Sequence, residues 1–247
     1  MGTQAVQAAP VTPAASAGTA HSQRSALAID YVAVVQAAYA AYQAYSASQA
    51  LTLEQATQQI LSAIDSAKTE ILSHIDQVAT ADARACARQA VIDFADITRF
   101  TTDTLQAFAR DTTGCVTRID SLLGAVTDKA ALDQLGFAVD AVGPISLVAR
   151  ARAGFDTAGL KGTLVNAHNT IVAKLDPVCV TVRIREPGPA GPTEEYVTCT
   201  AYNGNYGSAS RIVSPNRPPI DVNGVKTTAA TGTSWVVAKA VLPTLQS

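Results

Sequence analysis

Residues 52–80 read TLEQATQQILSAIDSAKTEILSHIDQVAT, and the spacing of their apolar side chains decides the fold class. Ile60, Ile64, Ala67, Ile71, Ile75 and Val78 recur at steps of three and four, which places them on one face of a helix and leaves the opposite face polar. Thr52, followed three residues later by Gln55, predicts a capping box at the start. After a second cap-like cluster, Thr80-Ala81-Asp82, the pattern resumes through Ala87, Val91, Phe94, Ile97, Thr101, Leu105 and Phe108. A helix with one apolar stripe is not stable alone, and a short joint makes its neighbour the natural partner. Residues 53–110 therefore predict a long antiparallel helical hairpin with legs of roughly 40 Å. Ala and Thr at several seam positions call for further helices to cover it, and such a seam also offers a route to a coiled coil or an oligomer.

Working outward, the chain of 247 residues is 48% apolar and 15% charged, enough to bury a sizeable core. Its net charge of −2 lacks the basic footprint that nucleic acid requires, so no nucleic-acid partner is expected. Residues 1–25 are rich in Ala, Pro, Ser and Thr and hold one charge, Arg24; they read as a disordered leader without a signal-peptide pattern. Met-Gly ahead of that leader resembles an initiator placed on a mature secreted protein. From Ser25 to Gln49 the only charge is Asp30, with Tyr31, Tyr39, Tyr42 and Tyr45 set among Ala and Val. This predicts a buried helix, although the low charge leaves membrane contact open.

Beyond Phe108, helices are expected over Cys115–Val126, from about Asp128, and over Ala158–Lys174. The apolar run of residues 135–149 contains Asp140 and the Gly143-Pro144 pair. Proline lacks the amide hydrogen of a helix interior, so a kink or two abutting helices is expected there, with Asp140 as a cap at the break. After Pro177 the period becomes alternating. Cys179, Val180, Val182 and Ile184 face Tyr196, Val197 and Cys199 across a proline-rich loop, which predicts a hairpin. Asn223-Gly224 predicts a second hairpin, and Ser234 to Val241 a last strand holding Trp235. The fold class is thus mainly α with a small C-terminal antiparallel β subdomain. The expected divisions are a leader at 1–25, a helical bundle at 26–176 and a hairpin-rich unit at 177–247.

Four cysteines point to an oxidising, secreted or extracellular setting and two disulfides. Cys179 and Cys199 stand symmetrically about the hairpin loop and can face each other across two strands. Cys86 and Cys115 pair by elimination, but 29 residues of unbroken helix would hold them roughly 40 Å apart. The bridge therefore requires a break, best placed at Thr101-Thr102-Asp103. No His or Cys falls at metal-ligand spacing, and no phosphate-binding turn or nucleophile motif occurs, so neither metal, cofactor nor catalytic residue is expected. Asp93 and Asp96 with Arg99 read as a solvated helix face.

The function these features favour is a non-enzymatic secreted or surface-displayed interaction protein, a helical scaffold that presents a β surface to a protein or surface polysaccharide. Tyr196, Tyr202, Asn203, Asn205, Tyr206 and Trp235 have the composition of adaptable binding loops and form the candidate surface. Two alternatives remain: a helical pore-forming or membrane-perturbing protein built on the charge-poor segments, and a hydrolase whose site has no local motif.

Overall fold

Asp30, the lone charge of the first apolar segment, caps a helix: its carboxylate accepts the Ala33 amide at 3.3 Å at the head of α1 (Tyr31–Ser46). A computed structural model describes residues 30–47, 49–188 and 191–247. The expected leader at 1–25 lies outside them. Tyr31, Val35, Tyr39 and Tyr42 turn inward from α1. The capping box is present at α2 (Leu53–Ser66), where Thr52 Oγ1 accepts from the Gln55 amide and the Thr52 amide donates to Gln55 Oε1 at 2.9 Å. There follow α3 (Lys68–Asp76), α4 (Ala81–Phe94), a 3-10 turn (Ile97–Arg99), α5 (Thr102–Ala125), α6 (Lys129–Arg152) and α7 (Ala158–Lys174).

The apolar stripe read from residues 60–78 is buried throughout, and the stripe that follows it is only one of its partners, met where α3 turns into α4. The α2–α3 segment packs chiefly on α1 and α6, α4 packs chiefly on α5 and α6, and α3 and α4 also touch each other. The reason lies in α6, where every residue from Leu135 to Ala149 is buried. A helix that is apolar all round must be enclosed. It therefore draws each one-sided neighbour to itself, and α1–α5, α7 and a C-terminal helix all touch it. The long antiparallel hairpin is formed one step later in the chain, by α5 and α6, each 24 residues long and joined across Val126-Thr127-Asp128.

The break between α4 and α5 falls where the Cys86–Cys115 pair requires it. The chain turns through residues 95–101, and Thr101 restarts the helix by accepting the Thr104 amide. The two cysteines then lie 5.6 Å apart at Cα and are bridged. Asp93 and Asp96 stay on the surface, with Arg99 on Asp96 at 3.2 Å.

Pro144 does not divide α6 into two abutting helices, one of the two outcomes expected there. A proline inside a helix costs about 3 kcal/mol, and burial of the whole segment outweighs it. Two glycines admit the neighbours of α6: a Cβ at Gly143 would lie 1.9 Å from Tyr39 Oη, and one at Gly136 would lie 2.2 Å from Ser234 Oγ. Gly143→Ala should therefore lower stability by about 1–3 kcal/mol, read as a reduced urea midpoint, because the buried Tyr39 phenol has no room to retreat. An unchanged midpoint would mean that α1 shifts freely over α6.

The sheet is β1 (Val178–Arg185), β2 (Thr193–Thr200) and β3 (Tyr206–Ile212), antiparallel in the order β1-β2-β3. Cys179 pairs directly with Cys199, and the two are bridged. The expected hairpin at Asn223-Gly224 is instead α8 (Val222–Ala229), and the expected last strand is α9 (Ser234–Gln246). In α8, Val225 and Ala229 sit four residues apart and bury against Val197, Cys199 and Ala209 of the sheet. Tertiary burial of that small face overrides the Asn-Gly turn signal. In α9, Trp235, Ala238, Val241 and Leu245 follow a helical period and bury in the main core against α1, α6 and α7. The C-terminal part is therefore a small sheet with one covering helix, after which the chain returns to the bundle.

Candidate functional site

The sequence of β1, Val-Cys-Val-Thr-Val-Arg-Ile-Arg, alternates so that Val178, Val180, Val182 and Ile184 share one sheet face. Register extends that face into four rows: Val178–Thr200–Tyr206, Val180–Thr198–Ser208, Val182–Tyr196–Ser210 and Ile184–Glu194–Ile212. It is open: Val178 is 68% exposed, Val180 60% and Tyr206 69%. The opposite face, with small side chains at Gly207, Ala209 and Cys199, is the one α8 covers. A Cβ at Gly207 would meet the Val225 carbonyl at 2.5 Å, so the close approach of α8 depends on that small face. The sheet is in this sense inverted, with its larger aliphatic residues turned outward.

Charge is sparse on the open face. Glu194 is its one ionisable carboxylate, and the Tyr196 hydroxyl donates to it, which with burial holds the phenol above its usual range. On the other face Glu195 accepts from Arg211 Nε at 2.6 Å and Arg183 Nε at 2.8 Å, and these guanidinium groups hold its carboxyl below the usual range. The outer edge of β1 pairs with no strand among the described residues. Its eight residues run without a bulge or a proline, the devices that usually blunt such an edge.

Of the residues singled out from sequence, Tyr196 and Tyr206 lie on this face. Asn203 and Asn205 occupy the β2–β3 turn, where Asn203 Oδ1 accepts the Asn205 amide at 3.0 Å; this Asx turn commits Asn203 to local geometry. Tyr202 is half-buried and donates to Asp133 Oδ2 at 2.8 Å, tying the turn to α6. Trp235 does not belong to the surface. It is 2% exposed in the bundle core, and its Nε1 donates to the Val172 carbonyl at 3.2 Å. The helical spacing of Trp235, Ala238, Val241 and Leu245 was the signal for that position. In sequence the aliphatic residues of β1 mark only a strand, because alternation separates two faces without saying which one is covered.

A second cluster lies at the centre of the bundle. Asp140 does not cap a break; it is fully buried, and its Oδ1 meets His168 Nε2 at 3.0 Å. His168 Nδ1 is 2.6 Å from the Leu164 carbonyl, which can only accept, so Nδ1 carries a proton. One further proton is then shared between Nε2 and the carboxyl group, giving either an ion pair or a neutral pair. Burial pushes Asp140 up to about 6, against the opposing pull of His168. Burial and the same carboxylate push Tyr39, whose ring stacks edge-on to His168, well above its usual range. The pair is wholly enclosed, so catalysis at Asp140 would require the bundle to open.

A cleft of about 600 Å³ lies beside Tyr42, Tyr45, Phe155 and Asp156. Its carboxylate accepts the Ala158 amide at 3.1 Å at the start of α7, a local structural role. Among the described residues no three His, Cys, Asp or Glu side chains gather as a metal site. The fold and the open sheet define a mainly α protein, a helical bundle with one disulfide that carries a three-stranded sheet with another. Comparisons with family models, curated proteins and solved structures return no match for this chain.

Proposed function

We propose that this chain is a non-enzymatic interaction protein, secreted or displayed at a surface, in which the helical bundle holds the open face of the sheet toward a protein partner. The observation that carries this reading is the exposed aliphatic row Val178, Val180, Val182 and Ile184 on β1, with Tyr196 beside it and Tyr206 across Thr200, left uncovered beside a core that encloses most of the other large apolar side chains. The largest exposed apolar patch on a soluble protein is often a contact site. Rigidity supports the same reading: the Cys179–Cys199 bridge joins β1 to β2, and α8 backs the sheet. A preorganised surface loses little entropy on binding. Two disulfides also fit an oxidising, extracellular compartment. An apolar face of this kind favours protein over polysaccharide, whose hydroxyls need polar partners.

The test is photo-crosslinking from a benzoylphenylalanine in place of Val180, with the same group in place of exposed Ile92 on α4 as the control, in the medium that surrounds the producing cell. Adducts from position 180 that are absent from position 92 are expected. Equal labelling from both positions, or none from 180, would overturn the reading. A second reading draws on α6, the one helix among the described residues long and apolar enough to cross a membrane, here almost wholly enclosed by the fold. Dye release from liposomes by the purified chain at neutral pH would favour it.

A further inference from the structure

We propose that the occupant of the open sheet face is a second copy of this chain, packed sheet on sheet about a two-fold axis. This deepens the interaction reading and rests on it. The exposed parts of Val178, Val180, Val182, Ile184, Tyr196 and Tyr206 amount to roughly 600 Å², so two copies would bury roughly 1,200 Å² together, at the lower edge of what specific stable interfaces use. A sheet face rich in β-branched side chains is the kind that another sheet covers in a sandwich, with side chains interdigitating across about 10 Å. The face carries no cluster of like charge to select a differently charged partner, and its centre is free of ionisable groups other than the Tyr196 phenol, as interface cores commonly are. An isologous contact requires only that the patch complement itself.

Charge placement fixes the axis. If the two-fold ran along the strands over β2, the position that covers the whole face, each Glu194 would approach the Glu194 of the other copy. If it runs across the strands, β1 packs over β1 and the rows are reversed. Val180 and Val182 then meet their counterparts in exchanged order, Ile184 lies over Val178, and Glu194 faces the hydroxyls of Thr200 and Tyr206. That arrangement separates like charges and offers donors to the one carboxylate, so the axis across the strands is the one we assign.

The experiment is sedimentation equilibrium of the full, disulfide-bonded chain from about 1 to 200 μM. The mass should rise with concentration from 25.5 kDa toward twice that value. Val180→Lys puts charge into the apolar centre without disturbing the core, and should weaken association by roughly 100-fold. Thr181→Lys, exposed on the opposite face, should leave it unchanged. A chain that stays monomeric at every concentration would overturn the second copy. So would a dimer that survives Val180→Lys but is lost with Thr181→Pro, which would mean pairing along the β1 edge. In either case adducts from position 180 to a different protein would still uphold the wider interaction reading, and their absence would remove that reading as well.

Discussion

His168→Ala should lower the stability of the chain by about 3–5 kcal/mol at pH 7.5, read from urea unfolding, because it leaves the Asp140 carboxylate buried without its partner. Asp140→Asn should cost far less. An Asn side chain can donate to His168 Nε2 while Nδ1 keeps its bond to the Leu164 carbonyl, so both partners stay satisfied without a charge. The pH dependence follows from the raised carboxyl. Asp140 titrates near 6 in the fold and near 3.8 in the unfolded chain, so folding takes up a proton between those values. Its contribution is fully present below about pH 3.8 and is lost as pH rises through about 6, a difference of about 3 kcal/mol. Stability measured at pH 4.5 and 7.5 should therefore change less in Asp140→Asn than in the parent, and most in His168→Ala. Parallel pH profiles in all three chains would mean that the pair does not titrate within this range.

A chain ending at Asp176 should lose its cooperative thermal transition. From sequence alone, residues 26–176 look self-sufficient, with their own caps and most of the apolar periodicity. The structure places Trp235, Val237, Ala238, Val241 and Leu245 of α9 in the same core as α1, α6 and α7, and the Ser234 amide and hydroxyl both donate to the buried Asp133. Truncation opens a trough along α6 and leaves Asp133 without three of its donors, counting the Tyr202 hydroxyl. Losing one such aromatic alone costs about 3–5 kcal/mol, a large share of a typical domain's stability. Circular dichroism on heating should show a broad, non-cooperative loss of helix. A sharp transition near that of the parent would mean that α9 is dispensable and that the bundle stands without it.

What this sequence determined by itself is what local chemistry decides. Thr52 and Gln55 cap α2 because each supplies the group the other's backbone lacks, and Asp128 caps α6 by a one-way bond in which its carboxylate accepts the Ala131 amide. The stripe from Ile60 to Val78 is buried because helical period alone gathers it on one face. The Cys179–Cys199 pairing follows from symmetry about one hairpin, and the turn before Thr101 from the distance a second bridge must close. Tertiary structure decided what depends on competition among partners. The enclosed α6 took up most of the apolar faces in residues 53–110, leaving α3 and α4 to share only part of theirs. It also held Pro144 within one helix and paired Asp140 with a histidine 28 residues away. At Ser234–Val241 the β-branched pair Val236-Val237 suited a strand as well as a helix, and burial of Trp235 in the bundle settled it as α9. The open face of the sheet was beyond reach for the same reason. Alternation in β1 separates Val178, Val180, Val182 and Ile184 from Cys179, Thr181, Arg183 and Arg185, but only the docking of α8 on the face with the smaller residues leaves the aliphatic row in solvent.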